Sequence, residues 1–217
     1  KQVVGEALLE QNFPSIHAVG RASPRSPRLI ELQWGNPKHP RLALIGKGVC
    51  FDSGGLNIKS GDGMRQMKKD MGGAANALGL AGLIMAFKLP VRLQLLIPAV
   101  ENAISGNAFR PGDVIKTRKG LHVEIGNTDA EGRVILSDAL AYAAESKPDL
   151  VIDLATLTGA ARIALGGQLP ALFAKHMDIA RDLVDLGLKL HDPLWHMPLW
   201  APYHAGIESA VGDIVNT

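Results

Sequence analysis

Two short stretches hold most of the residues able to do chemistry. The first, GKGVCFDSGGLNIKSGDGMRQMKKDMGGAA, carries Lys47, Asp52, Lys59 and Asp70 among glycines; the second, NTDAEGR, carries Asp129, Glu131 and Arg133. Each residue alone has an ordinary explanation. A Lys or Asp in a Gly-rich loop is usually a solvated surface residue. Asp70 and Asp129 favour a nearby helix N-terminus. Glu131 and Arg133 make an ion pair of little energetic value. Together they ask for more. Four carboxylates brought to one place repel each other unless cations neutralise them. Oxygen ligands suit Mg, Mn or Zn, and a carboxylate can bridge two ions. Two-metal hydrolysis is the chemistry such a set supports.

The elements that must position these residues alternate between strand and helix. Residues 28–34 and 41–48 are short apolar runs separated by GNPKHP, so they read as strands joined by a turn. Residues 72–89 are rich in Ala and Leu and predict a buried helix ended by Pro90. A strand follows over 91–102, then two shorter ones in DVIKT and HVEIGN, then a helix over 133–146 with Leu136, Leu140 and Ala144 on one side. The apolar run 149–157 predicts a buried strand in a central parallel position. TGAARIALG begins another helix, and 178–189 is an amphipathic one. LHDPLWHMPLWAPYH reads as a surface loop, and so does GDGMRQM, which lacks the third Gly of a dinucleotide fingerprint. The predicted fold class is α/β: a mostly parallel central sheet with helices on both faces. Ligands in such sheets sit beyond the carboxyl ends of the strands, where both clusters are expected.

Composition excludes several classes. With 23 basic and 21 acidic residues in 217 and a formal net charge of +2, nothing electrostatic points to nucleic acid or an anionic membrane. No apolar run approaches the ~18 residues of a membrane span. The single cysteine, Cys50, forbids an internal disulfide, which fits a reducing compartment; beside the candidate ligands it reads as a buried, inert thiol. Seven histidines are scattered without the His-Glu-x-x-His spacing of a zinc protease helix, and no Gly-x-Ser-x-Gly elbow or phosphate loop is present. The start, KQVVGEALLEQNF, lacks the uninterrupted apolar stretch of a secretory signal and an initiator Met, and the end, GIESAVGDIVNT, stops without a cap. Both ends are therefore expected to be cut from a longer protein.

The pattern resembles the leucyl (cytosol) aminopeptidase family of dinuclear metallopeptidases. NTDAEGR matches that family's signature in full, and Lys47, Asp52, Lys59 and Asp70 fall at its spacing. The resemblance is strong over 42–167 and looser elsewhere. Cys50 stands where Thr is common, and Gly212 where Ala is common; neither is a ligand.

The resemblance implies a role for each residue. Asp52 and Glu131 bridge two divalent ions, Mn or Zn first, with Mg or Co as alternatives. Asp129 binds one ion, and Lys47 and Asp70 bind the other. A Lys ligand must lose its proton, from a free pKa of ~10.4, which two cations and a desolvated site favour. Lys59 stays protonated and stabilises charge developing on the scissile carbonyl oxygen. Arg133, helped by the backbone N–H groups of Ala130 and Gly132, holds a bicarbonate that acts as general base. Met67, Thr156, Leu157 and Gly159 line the substrate site, although core packing explains Met67 equally well.

The implied activity is release of N-terminal residues, leucine and similar, from peptides with a free N-terminus, by two-metal activation of water. A cytoplasmic homohexamer is implied too, with no nucleic acid or membrane partner for this region. The 217 residues would form one partial catalytic metallopeptidase domain, without the family's variable N-terminal domain and C-terminal end. They are expected to keep the ligand geometry yet work weakly alone. Two readings compete: a two-metal phosphoesterase, and a catalytically inactive fragment.

Overall fold

The structure, a computed structural model, describes all 217 residues. Two units are distinguishable, one formed by Lys1–Thr156 with Ile207–Thr217, the other by Leu157–Gly206.

The first unit begins with strand β1 (Gln2–Val4) and helices α1 (Ala7–Glu10) and α2 (Pro14–Gly20), followed by β2 (Arg28–Trp34), β3 (Arg41–Gly46) and β4 (Gly48–Asp52). A helical turn α3 (Gly61–Arg65) and a 3-10 turn (Met67–Lys69) lead into α4 (Gly72–Ala86). Then come β5 (Arg92–Asn102), β6 (Val114–Lys116), β7 (His122–Glu124), α5 (Glu131–Glu145) and β8 (Leu150–Leu154). The second unit holds α6 (Gly159–Leu165), β9 (Ala171–Leu172), α7 (Met177–Lys189) and β10 (Trp195–His196), with β9 and β10 pairing in parallel. Strand β11 (Ile214–Val215) returns to the first unit and pairs with β7.

The main sheet runs β1-β2-β5-β3-β8, with β4 also on β5. The pairs among β3, β4, β5 and β8 are parallel, and β1 and β2 are antiparallel. Apolar side chains alternate to its two faces. On one, Ala43, Ile45 and Leu96 pack with Ile16 and Val19 of α2 and with Ile135, Ala139 and Ala143 of α5. On the other, Leu44, Leu93 and Leu95 pack with Ala74, Ala77, Ala81 and Ile84 of α4. The predicted α/β class with helices on both faces is thus the observed one. On the α5 side, the fully buried Asp138 carboxylate accepts backbone N–H bonds from Ser15 (2.8 Å), Ile16 (3.3 Å) and Arg118 (2.8 Å), tying α2 and the β6–β7 turn to α5.

Five expectations need correction. LHDPLWHMPLWAPYH is not all loop: it holds β10 and opens a 3-10 helix over Ala201–Ile207. β8 is at the edge of the sheet rather than its centre, and Leu150 and Val151 are exposed. An apolar run reports a liking for burial; it does not count a strand's neighbours. GDGMRQM is mostly helical, because the Ser60 hydroxyl accepts the Gly63 N–H and starts a turn where propensity offers none. Cys50 is exposed rather than buried, since β4 is short and turns that residue outward. Finally, the second cluster does not follow a strand of the main sheet. It follows β7, which belongs to a small sheet with β6 and β11.

Candidate metal centre

Lys47 occupies a break in a strand. β3 and β4 keep one register along β5, Ile45 opposite Leu96 and Gly48 opposite Ala99, and Lys47 lies between them. Its N–H donates to the Leu154 carbonyl (2.9 Å) and its carbonyl accepts from the Ala74 N–H (2.9 Å). The end of β8 and the start of α4 thereby fix the backbone from both sides, and the side chain points into a buried pocket of carboxylates. Its Nζ is 2.8 Å from Asp70 Oδ2, 2.9 Å from Glu131 Oε1 and 3.1 Å from the Thr156 carbonyl. Lys59 makes the matching contact, 3.0 Å from Asp52 Oδ2 and 2.5 Å from Asp129 Oδ1.

The two predicted clusters therefore meet. Carboxylate oxygens of Asp52, Asp70 and Glu131 lie within 4.8 Å of one another, all three residues buried. Asp129 joins through Lys59 and is more open, its side chain 30% exposed. Asp70 is held by the Thr156 hydroxyl, which donates to its Oδ1 at 2.7 Å. Thr156, expected to line the substrate site, is thus also a brace for a candidate ligand. Met67 lies half-buried on the 3-10 turn before Asp70. Leu157 and Gly159 fall in the 157–206 unit, where both are exposed. Arg133 is exposed on the first turn of α5 and joins no ion pair, and the Ala130 N–H already closes a turn onto the Asn127 carbonyl (3.2 Å).

Two ammonium groups face four carboxylates, which leaves two negative charges without a partner. The electrostatics register this excess. Burial, with Asp52 and Asp70 nearby and only partly offset by Lys47, pushes the Glu131 carboxyl up to about 7. Burial and the Asp52 charge raise Asp129 as well. Burial lowers the affinity of Lys47 for its proton, but Glu131 and Asp70 outweigh it, and its pKa is raised. Lys59 is raised in the same way by Asp129 and Asp52. Among protein groups alone, then, Lys47 is held as an ammonium; the lowering that ligation requires has to come from cations. Glu131 Oε2 is buried with no hydrogen-bond partner, and Oε1 sits near Lys47 without hydrogen-bond alignment. A buried carboxylate oxygen left unpaired is costly. Hard divalent cations fit this donor set on charge and on ligand type.

The catalytic-domain model of the cytosol aminopeptidase family matches residues 1–217. The chain belongs to this family. A probable cytosol aminopeptidase of Syntrophotalea carbinolica is 47% identical over 214 residues, which are 98% of this chain and 43% of that protein. The crystal structure of cytosol aminopeptidase from Coxiella burnetii matches at TM-score 0.97 and 59% identity, over all of this chain and 47% of that one. The bottromycin maturation enzyme BotP, solved in complex with Mn, matches at TM-score 0.94 and 39% identity, over all of this chain and 48% of that one. The chain spans a little under half the length of the family members it matches.

The hydrogen bonds around the cluster put weight on residues that motif reading passed over. Thr128, inside the signature, accepts the Asn57 N–H (2.8 Å) and donates to the Gly54 carbonyl (2.6 Å), so the second cluster grips the loop of the first. Asn216, 2% exposed, accepts the N–H groups of Gly126 and Asn127 and donates to the carbonyls of Asn127 and Ala130, bracing the signature from the far end of the chain. Asn102 joins Asp52 to Thr128. Only their polar character beside glycines or strand ends hinted at this, and many asparagines share it.

Proposed function

We propose that this chain carries the catalytic machinery of a metal-dependent aminopeptidase that removes N-terminal residues from peptides. The observation that carries the reading is the buried meeting of Asp52, Asp70 and Glu131 with two lysines, with charge left over for cations. Lys47, Asp52, Asp70, Asp129 and Glu131 would hold two divalent ions, Mn or Zn in the first instance. When bound, such ions polarise a carbonyl and make water a nucleophile near neutral pH.

The chain's own groups do the rest. Lys59 keeps its proton because Asp129 and Asp52 outweigh its partial burial, and an ammonium at that place stabilises negative charge growing on a substrate carbonyl oxygen. Thr156 orients Asp70 through its hydroxyl. Arg133 is exposed on α5 two residues after Glu131 and joins no ion pair, so its guanidinium is suited to hold a small anion. A guanidinium cannot itself accept a proton, so a bound base such as bicarbonate fits the absence of histidine from the cluster. The Gly132 N–H at the start of α5 supports the same anion, whereas the Ala130 N–H is already bonded to Asn127. Leu157, Gly159 and Met67 remain proposed contacts of the substrate. A cytoplasmic homohexamer is proposed on family grounds, and no helix is long and apolar enough to cross a membrane.

The test is hydrolysis of leucine p-nitroanilide against p-nitrophenyl phosphate with added Mn²⁺. Amide hydrolysis requiring a free α-amine is expected. Turnover of the phosphate ester alone would replace the reading with a phosphoesterase.

A further inference from the structure

Asn102 is the last residue of β5 and the register partner of Asp52 at the end of β4. The residue is 1% exposed. One amide nitrogen serves both clusters: Nδ2 donates to Asp52 Oδ1 at 2.8 Å and to the Thr128 carbonyl at 3.0 Å. Its backbone carbonyl accepts from Ser53 twice, from the N–H at 3.1 Å and from the hydroxyl at 2.8 Å. Gly54 N–H adds a second bond to Asp52 Oδ1 at 2.9 Å. The loop then presses against this residue: a Cβ on Gly55 would lie 2.9 Å from Asn102 Oδ1 and 2.9 Å from Thr128 Oγ1.

These contacts sort the two oxygens of Asp52. Oδ1 is occupied by an amide and a backbone N–H. Oδ2 faces Lys59, whose ammonium also pairs with Asp129. Without the Asn102 donor, the carboxylate keeps one neutral bond to Oδ1 and can rotate. The Thr128 carbonyl also loses its tie to the first cluster.

We infer that Asn102 is a positioning residue for metal binding: it holds Asp52 in one rotamer, with Oδ2 turned to the cations, and it locks the two ligand-bearing loops in register. The inference rests on the dinuclear reading above. It goes further by assigning the geometry of the site to a neutral side chain that touches neither substrate nor ion. A purely structural role for Asn102 would show as lost stability with metal affinity intact, and the experiment separates the two.

Mn²⁺ binding is measured by the loss of the free-ion EPR signal, at a temperature where circular dichroism shows every variant folded. Asn102→Leu keeps the shape and removes the donor. Asp138→Asn weakens the buried acceptor that ties α2 and the β6–β7 turn to α5 and leaves Asp52 and Asn102 paired. The expectation is a Mn²⁺ affinity ~10–100-fold weaker for Asn102→Leu, the range for losing a partner that orients a ligand. Asp138→Asn should melt earlier with affinity close to that of the unaltered protein. Equal affinity in Asn102→Leu and the unaltered protein overturns the inference. So does a loss of affinity in both variants that tracks their loss of melting temperature. Should Asn102→Leu not fold, Asn102→Ser leaves one hydroxyl donor for two acceptors and is read by the same criteria at smaller amplitude. Failure of the unaltered protein to bind Mn²⁺ removes the dinuclear reading itself, a result distinct from failure of the Asn102 assignment.

Discussion

Gly132 offers a sharp test of how the signature works. It lies in the first turn of α5, where Ala is the better helix former by roughly 0.5–1 kcal/mol. On propensity alone, Gly132→Ala would stabilise the protein. The tertiary structure reverses that expectation. A Cβ at this position would be 2.6 Å from Lys47 Cε, 2.9 Å from Cδ and 2.9 Å from Nζ. Carbon atoms pack at about 3.5–4.0 Å, so something must move by about 1 Å. A free lysine tip would move at little cost, but Lys47 is 2% exposed and held by Asp70, Glu131 and Thr156. Overpacking of this kind costs about 1–3 kcal/mol. Offset by propensity, the net loss of stability should be small, on the order of 1 kcal/mol. Function should suffer more, because a 1 Å displacement of a catalytic group can cost on the order of 100-fold in rate. Urea unfolding in the presence of chelator, Mn²⁺ titration and turnover of leucine p-nitroanilide would be compared for the variant. The expected pattern is a slightly lowered urea midpoint, weaker metal binding and turnover down by about two orders of magnitude. Unaltered metal affinity and turnover would show that Lys47 relocates freely, and the account of Gly132 would be wrong.

Other perturbations separate the roles assigned to the cluster. Lys59→Ala should retain its metal content and lose about 100- to 1,000-fold in turnover, as expected when a group acts on the transition state; metal analysis beside kinetics checks this, and loss of metal would reassign Lys59 as a ligand. Glu131→Ala should lose metal and activity together, since it removes a buried carboxylate whose Oε2 has no partner among the protein groups. Away from the site, burial opposes ionisation of Glu31, but hydrogen bonds from Gln94 (2.8 Å), Gln33 (2.7 Å) and Tyr142 (3.3 Å) outweigh it and hold its pKa below the ordinary value. A carboxyl lowered by folding contributes stability above its unfolded pKa and loses it as pH falls through its folded one. Glu31→Gln should therefore be less stable than the unaltered protein at pH 7, by about 1 kcal/mol, and the gap should close on acidification; urea midpoints that differ equally at every pH would count against this.

Much of the machinery was legible in the primary structure because its information is local. NTDAEGR and the spacing of Lys47, Asp52, Lys59 and Asp70 are short-range patterns, and they named the family and pointed to the proposed chemistry. Strand and helix positions followed from apolar periodicity, which is also local: 28–34 was placed as a strand and observed as one, and 72–89 was placed as a helix and ends only slightly early, at Ala86. Order within the sheet was not available in this way. The apolar run 149–157 looked central, yet β8 is an edge, because strand order depends on distant partners. Nor did periodicity reveal that the second cluster follows a strand of the small sheet and reaches the first through α5. The braces were hidden for the same reason. Asn102 is 50 residues from Asp52, Thr156 is 86 from Asp70, and Asn216 is 89 from Asn127. A hydrogen bond across such separations exists only after the chain has folded. The sequence alone thus determined which groups are present and which elements carry them. Only the tertiary structure decided which oxygen each carboxylate has free, which lysine each one faces, and why position 132 has no room for a methyl group.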